Sequence, residues 1–372
     1  MNWIQESAWY LSFVVTALYV ALGLIIFIFL RKSKIQKDYS KSITILVAAR
    51  NEESGILATL DSLDKLNYPK GLLEIIIGDD RSTDNTAAVV QQFIQGRPHF
   101  RYHYCAAQFP GIYAKQNVLA QLSQLAHNEI ILHVDADIKV NPDWAAIHVG
   151  AYIQHPKLGI CSGPTLVQSK RLFARLQSLD WVQAIAHIKT MNQLGLDMTA
   201  LGNNLSMRKE AYSATGGYEH LPFSITEDLL MMKAIRKRGY ELLWLWHPEV
   251  MNQTQAPKGL VGYLNQRKRW FKGGMGSPWF AHIIFGIHAS LYPILLSSWA
   301  MNVLTAGEIL QLAGIKILID YILLTRALFT LDRLRDTMLL PLFTVYNFLQ
   351  VMVMVIYFPL PMRYNWKGRS FR

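Results

Sequence analysis

Residues 8 to 30, AWYLSFVVTALYVALGLIIFIFL, carry no charge, and a chain with such a run must either bury it or place it in a bilayer. As a helix the run is long enough to cross the ~30 Å hydrocarbon core. Arg31, Lys32, Lys34, Lys37 and Lys41 follow at once, and by the positive-inside rule they hold this end in the cytoplasm and leave Met1 outside. Because the basic residues come after the run, and no small-residue cleavage site intervenes, a cleaved signal peptide is not expected. Hydrophobic residues make up 51% of the 372, yet the mean hydropathy is only +0.16, so a soluble part must accompany the membrane part. The net charge of +11 is concentrated beside apolar segments, at 31 to 41, 267 to 272 and 363 to 372. That placement points to anionic lipid as partner and away from nucleic acid. Two cysteines, Cys105 and Cys161, are too few for a disulfide framework or a zinc site and suit a reducing cytoplasm.

From about residue 42 short β-rich runs alternate with helical ones, the pattern of a largely parallel sheet covered by helices on both faces. Strands are expected at 43 to 49, 73 to 78, 100 to 104 and 129 to 134, with helices between them around 56 to 66, 84 to 94 and 114 to 125. Ligands collect at the carboxyl ends of such strands. The polar clusters fall there: ARNEE at 49 to 53, GDDRSTD at 78 to 84 and HVDAD at 133 to 137. Asn141 and Pro142 then read as N-cap and first helical residue, which leaves Asp135 and Asp137 on a loop.

Each acidic cluster has a chemical and a structural reading. Asp135 and Asp137, two apart after an apolar strand, suit a hard divalent cation that draws its other ligands from phosphate and water, and equally suit a turn. Asp79 and Asp80 pose the same choice. Glu227 and Asp228 follow Thr226, a fair N-cap, at the head of a helix that Gly239 stops. Acids in a first turn are favoured by the helix dipole, and the same dipole keeps Asp228 ionised and able to accept a proton. In LNQRKRW, 264 to 270, Gln266, Arg269 and Trp270 share one helix face. An amide, a guanidinium and an indole so placed can grip a diphosphate and a sugar ring, or anchor the helix at a membrane surface.

Taken in order, VAARNEE, GDDRSTDNT, DAD, GNNLSMRKEAYSATGGY, TED and QRKRW resemble the membrane-embedded glycosyltransferases of family 2, the group with cellulose and hyaluronan synthases and ceramide glucosyltransferases. The resemblance covers about residues 42 to 272 and implies a GT-A nucleotide-sugar-binding α/β domain flanked by transmembrane helices. It implies an inverting, metal-dependent transfer from a nucleoside diphosphate sugar, with UDP the expected nucleotide and Mg2+ or Mn2+ the cofactor. By motif, Ala48, Arg50, Glu52, Asp80 and Lys115 belong to the nucleotide, and Asp135 to the nucleotide sugar. Asp137, with Asp135, would hold the metal, and Asp228 would be the base. Asn203, Asn204, Glu227, Gln266, Arg269 and Trp270 would line the donor and acceptor side, while Arg267, Lys268 and Lys272 hold the helix to the lipid surface. Two positions depart from the family: Arg81 stands where relatives carry a turn glycine, and Ala48 where many carry proline.

The expected organisation is an N-terminal transmembrane segment with its basic flank at 1 to 36, a cytoplasmic catalytic domain at 37 to 255, an interfacial helix at 256 to 280 and a C-terminal membrane region at 281 to 372. A multi-pass cell-membrane protein follows. Apolar stretches near 281 to 304, 309 to 325 and 337 to 360 give two or three further crossings, and Lys316 and Asp320, four apart, mark the middle one as packed, tilted or interfacial. Arg363, Lys367, Arg369 and Arg372 favour a cytoplasmic C-terminus, which calls for two crossings plus one segment that does not cross. So few helices enclose no channel, and no gating loop follows QRKRW, so a lipid acceptor fits better than a growing polymer. The ending NWKGRSF also resembles those of lipid glycosyltransferases. The alternatives are a processive polysaccharide synthase completed by partner subunits, and an inactive nucleotide-binding scaffold. The helix at 171 to 191 either rests on the bilayer or packs on the sheet.

Overall fold

The computed structural model describes residues 3–360, together with the backbone of 364–366 and 369–371. The basic ending and Met1 therefore lie outside the residues whose side chains are described. Helix α1 (Trp3–Phe29) leads into β1 (Ile43–Ala49), α2 (Ile56–Asp64), β2 (Leu73–Asp79), α3 (Thr86–Ile94), β3 (Phe100–Tyr104), α4 (Ala114–Leu125) and β4 (Ile130–Asp135). Next come β5 (Ile138–Lys139), α5 (Trp144–Gln154), β6 (Leu158–Ser162), β7 (Thr165–Val167), α6 (Leu172–Gln193), β8 (Leu205–Arg208), α7 (Lys209–Ala214) and α8 (Glu227–Lys237). Then follow β9 (Glu241–Trp244), β10 (Asn252–Thr254), α9 (Gly259–Gly274), α10 (Trp279–Ala300), α11 (Ala306–Thr330), α12 (Leu340–Tyr357), and the hairpin β11 (Tyr364–Trp366) and β12 (Arg369–Phe371).

The main sheet has the order β3-β2-β1-β4-β8-β6-β9. β1 to β4 are parallel and β8 is antiparallel to both neighbours, so the sheet is mixed. The chain reverses direction across the sheet between β1 and β4, the switch point where a crevice opens at the strand ends. Register aligns the polar clusters there: Ala48 pairs with Gly78 on one side and Asp135 on the other. Ile45, Ile75 and Leu132 pack one face against α2, α3 and α5. Leu46, Ile76 and Ile131 pack the other, in a core that runs through α4 and α6 into Leu22 and Ile26 of α1 and Leu324 of α11. The helix at 172–193 thus packs on the sheet, and its other side meets the apolar helices.

Among the described residues, three helical stretches are long and apolar enough to cross a membrane: Trp3–Phe29, Trp279–Ala300 and Leu334–Tyr357. The linker after α1 differs from expectation. Lys32 pairs with Asp332 (3.3 Å), Lys37 with Asp143 (2.7 Å) and Lys41 with Glu129 (2.9 Å), so part of the basic flank is spent on the protein's own carboxylates. Asn141 is not a cap either. The helix begins two residues later, behind Asp143, and the Asn141 side chain accepts from the Asp143 N–H at 3.1 Å, because Pro142 is part of the turn before the helix. Gly239, at φ 88°, does end α8.

Candidate active site

Two loops build one end of the site. The Asn51 side chain accepts from the Thr83 N–H (2.9 Å), the Glu52 N–H donates to Thr86 Oγ1 (2.8 Å) and the Asn85 N–H to Glu53 (2.9 Å), so the segments after β1 and β2 are laced together. Lacing at this pitch demands tight turns: Asn51 (φ 52°) and Arg81 (φ 56°) both sit in the left-handed region. Arg81 thus takes up the turn that a glycine would make without steric cost. The two adjacent aspartates divide the work. Asp79 accepts from the Ser82 N–H (2.9 Å) and the Tyr102 hydroxyl (2.8 Å) and fixes the loop, whereas Asp80 lines the cavity and is gripped by Arg50, whose guanidinium donates to the Asp80 carbonyl.

That cavity, about 420 Å³, continues from Ala48, Arg50, Glu52 and Asp80 past Lys115, Asp135 and Asp137 to Asn203, Glu227 and Asp228, and ends at Gln266, Arg269 and Trp270. At its centre the Lys115 ammonium lies 2.6 Å from Asp135 and 3.0 Å from Glu227. Burial works against that charge, but Asp135 and then Glu227 outweigh it and hold the lysine protonated. Asp228 accepts from the Gly202 N–H at 2.6 Å and from the Leu229 N–H at 2.8 Å. Burial, and next the charge of Glu227, raise its pKa to about 6, against the pull of Lys115 and the two N–H groups. A Cβ at position 202 would lie 3.1 Å from the Asp228 carboxylate and 3.2 Å from the Lys115 ammonium, so any side chain here would press on both groups and glycine leaves them in place. Thr226 precedes the helix as expected but does not cap it. Its hydroxyl faces Ser224 (3.2 Å), and its methyl fills the space beside Gly273, which seats α9 on this segment.

Asp135 and Asp137 fit a divalent cation in their chemistry. Asp135 is half-buried and Asp137 exposed at the cavity, and the described residues contain no group of three or more His, Cys, Asp or Glu side chains able to hold an ion alone. A cation held here would need the rest of its shell from other oxygen ligands, as magnesium does.

Asn204 corrects an expectation. Its side chain is fully buried behind the cavity, donating to the Pro164 (2.7 Å) and Val250 (2.9 Å) carbonyls and accepting from Trp144 Nε1 (2.8 Å). Only Asn203, held by Thr165 Oγ1 at 3.0 Å, lines the site, since neighbours entering a strand point to opposite sides. Arg267 and Lys268 are corrected too. Lys268 is buried and donates to the Leu360 carbonyl. Arg267 lies between the Tyr263 and Trp270 rings, 5.1 Å from each, and is ion-paired with Asp180 of α6. Both cations are thus spent on partners inside the protein, while α9 keeps Leu260, Val261 and Phe271 exposed.

Sequence reading missed the far wall. Trp181, Ile185 and Ile188 of α6 and Phe285 of α10 line the cavity there, and Trp181 meets Trp270 edge-on with centroids 4.8 Å apart. The signal was present, since positions 181, 185 and 188 form one helical stripe, but packing and lining stripes look alike in sequence.

The family model that matches, over residues 10–372, is described as glycosyl transferase family 21, so the family 2 expected from the motifs is corrected to family 21. Among curated proteins, the beta-monoglucosyldiacylglycerol synthase of Nostoc sp. (strain PCC 7120) is 30% identical over 270 residues, 68% of this chain and 53% of that protein. The poly-beta-1,6-N-acetyl-D-glucosamine synthase of Staphylococcus aureus (strain COL) is 27% identical over 267 residues, 69% of this chain and 62% of that one. The chain thus matches over little more than half the length of these relatives. A solved mannosyltransferase, PcManGT from Pyrobaculum calidifontis in complex with GDP-Man and Mn2+, has a TM-score of 0.55 at 18% identity, covering 91% of this chain and 99% of its own. At that identity the likeness speaks for a shared glycosyltransferase α/β fold.

Proposed function

Because the chain belongs to glycosyl transferase family 21, we propose that it moves a sugar from a nucleoside diphosphate sugar, UDP-linked by expectation, to the hydroxyl of a membrane lipid by one inverting displacement. One observation carries this reading: Asp228 stands in a single cavity between a charged end, with Arg50, Asp80, Lys115 and Asp135, and an apolar end walled by Trp181, Ile185 and Phe285. Phe285 belongs to a helix long and apolar enough to cross a membrane, so an acceptor with an acyl body reaches the base without leaving an apolar surface.

Arg50, Glu52 and Asp80 bind the nucleoside, and Lys115 and Asp135 orient the sugar diphosphate. A Mg2+ or Mn2+ ion held by Asp137 with Asp135 supplies charge against the departing diphosphate when bound. Asp228 takes the proton from the acceptor hydroxyl as its oxygen attacks the anomeric carbon from the opposite face. Gln266 and Arg269 close on the diphosphate, and Trp270 bounds the acceptor. The catalytic domain then works at the cytoplasmic face of a multi-pass membrane protein. A processive polysaccharide synthase with partner subunits is the second reading, favoured by the 27% identical Staphylococcus relative. The retained acids speak against an inactive scaffold.

Purified protein incubated with a panel of nucleotide sugars and total lipid extract should yield an extractable glycolipid by mass spectrometry, and chelation of divalent cations should stop the reaction. A high-molecular-weight product from this chain alone would favour the second reading, and no product with any donor the scaffold. The raised pKa of Asp228 gives a further expected result. A base must be ionised, so kcat/KM should fall on the acid side with an apparent pKa of about 6, whereas an ordinary aspartate would hold activity down to about pH 4. Glu227→Gln removes the neighbouring negative charge and should move that limb to lower pH. An unmoved limb would mean that another group titrates.

A further inference from the structure

The most hydrophobic C-terminal stretch is the one that the geometry keeps from crossing. We infer that α12 lies within the leaflet facing the catalytic domain and sets its exposed strip among the acyl chains there, while α11, in spite of its charges, makes the second C-terminal crossing. Of the proposed function this takes only that α1 spans a bilayer.

Helices α1 and α11 run side by side in the same direction. Trp9 Nε1 donates to Glu308 at 3.3 Å near their first turns, Tyr19 donates to Asp320 midway, and Arg326 donates to the Leu30 carbonyl at 3.1 Å at the far ends. From Glu308 to Arg326 the helix rises roughly 27 Å at 1.5 Å per residue, close to the thickness of a hydrocarbon core. If α1 crosses, α11 crosses beside it. Its charges are no obstacle because they meet inside the bundle: Lys316 lies 2.6 Å from Asp320 and 3.2 Å from Asn347, and Gln183 donates to Asp320 at 2.7 Å.

α12 is tied along its length to the catalytic side. Just before it, Asp336 pairs with Arg175 of the α6 start at 3.1 Å. Along it, the Tyr346 and Tyr263 hydroxyls are 3.0 Å apart and Gln350 donates to Asp180 at 3.1 Å. Beyond its end, Phe358 stacks on Phe271 at 4.2 Å. Although its middle also meets Lys316 of α11 through Asn347 and Tyr292 of α10 through Phe348, a helix that touches α6 or α9 at its start, middle and end returns to the catalytic side before it can reach the opposite leaflet. Its outer side carries Leu342, Val345, Leu349, Val353 and Ile356, each 45% exposed or more, at spacings of three and four that make one stripe. Helix α10, which packs beside α12 through Tyr292 and Phe348, carries exposed Ile283 and Phe285 of its own, and acyl chains are the occupant of the α12 stripe. With α10 leaving and α11 returning, the chain is back on the catalytic side where α12 begins, and the segment that does not cross is the last one.

Single cysteines at Asn302, Arg335 and Pro359, all exposed, test this with a membrane-impermeant maleimide on sealed vesicles of either orientation, because Cys105 and Cys161 are buried. Asn302→Cys should react only from the face opposite the catalytic domain, and Arg335→Cys and Pro359→Cys only from the catalytic face. Reaction of Pro359→Cys from the opposite face overturns the placement of α12, and reaction of Asn302→Cys from the catalytic face that of α11. Should any site resist the reagent, nitroxides at Val345, Leu349 and Ile356 give an independent reading by oxygen accessibility. One shared depth supports an in-plane helix, and a steady gradient of depth overturns it. Neither measurement depends on sugar transfer, so an inactive protein with this topology would defeat the proposed function and leave the inference standing.

Discussion

Asp228→Asn should cut sugar transfer about 10³-fold, within the range that a positioned general base contributes, while donor affinity stays within about twofold. The asparagine keeps one oxygen to accept from the Gly202 N–H, so the backbone beside Lys115 need not move, and the Leu229 N–H bond that its amide nitrogen cannot accept is offset by relief of the buried charge. What it loses is the proton affinity that burial and Glu227 give the carboxylate. The sign of the stability change separates this from misfolding. A carboxyl whose folded pKa lies above its unfolded value costs stability once pH exceeds both, so at pH 7 the variant should melt no lower than its parent. Single-turnover transfer, donor titration by calorimetry and a melting curve check the three parts. Transfer within tenfold of the parent would remove Asp228 as the base. A drop in donor affinity matching the drop in rate would make it a binding group instead.

The parallel half of the sheet was legible because its strands are short, β-branched and buried on both faces. β1 occupies the expected 43 to 49, and β2 and β4 run one residue further, to Asp79 and Asp135, where the polar clusters begin. The β5-β10-β7 sheet was not, since strands of two or three residues hold too few side chains to show a period. At the site, spacing predicted which residues come together and failed where two neighbours had to be told apart. Nothing in GNNLS says that Asn203 faces the cavity and Asn204 the core, because the choice is made by Trp144, His148 and two carbonyls far away in sequence. Charge misled in the same way. Arg267 and Lys268 read as lipid anchors because basic residues beside apolar segments usually are. Their real partners, Asp180 and the Leu360 carbonyl, lie 87 and 92 residues away. The Lys316 and Asp320 spacing that marked the middle stretch as packed, tilted or interfacial corresponds to a buried pair 2.6 Å apart inside the bundle.

The largest loss of stability should come from Arg267→Met. It leaves Asp180, about one-eighth exposed, without its cation and with only Gln350 donating to it, and breaking a buried pair from one side costs roughly 3–5 kcal/mol. In detergent the apparent melting temperature should fall by about 10 °C. The same change removes the cation held between Tyr263 and Trp270, so the indole proposed to bound the acceptor loses the group fixing it against Trp181. Acceptor KM should therefore rise while donor affinity, set some distance along the cavity by Arg50 and Asp80, holds. Asp180→Leu added to Arg267→Met removes the orphaned charge and should restore most of the melting temperature. If it also restores acceptor KM, the pair matters only as packing. If the double variant is stable yet still binds acceptor weakly, the guanidinium itself orients Trp270. A single Arg267→Met variant as stable as its parent would show that solvent reaches Asp180 and that the pair is not buried in the working enzyme.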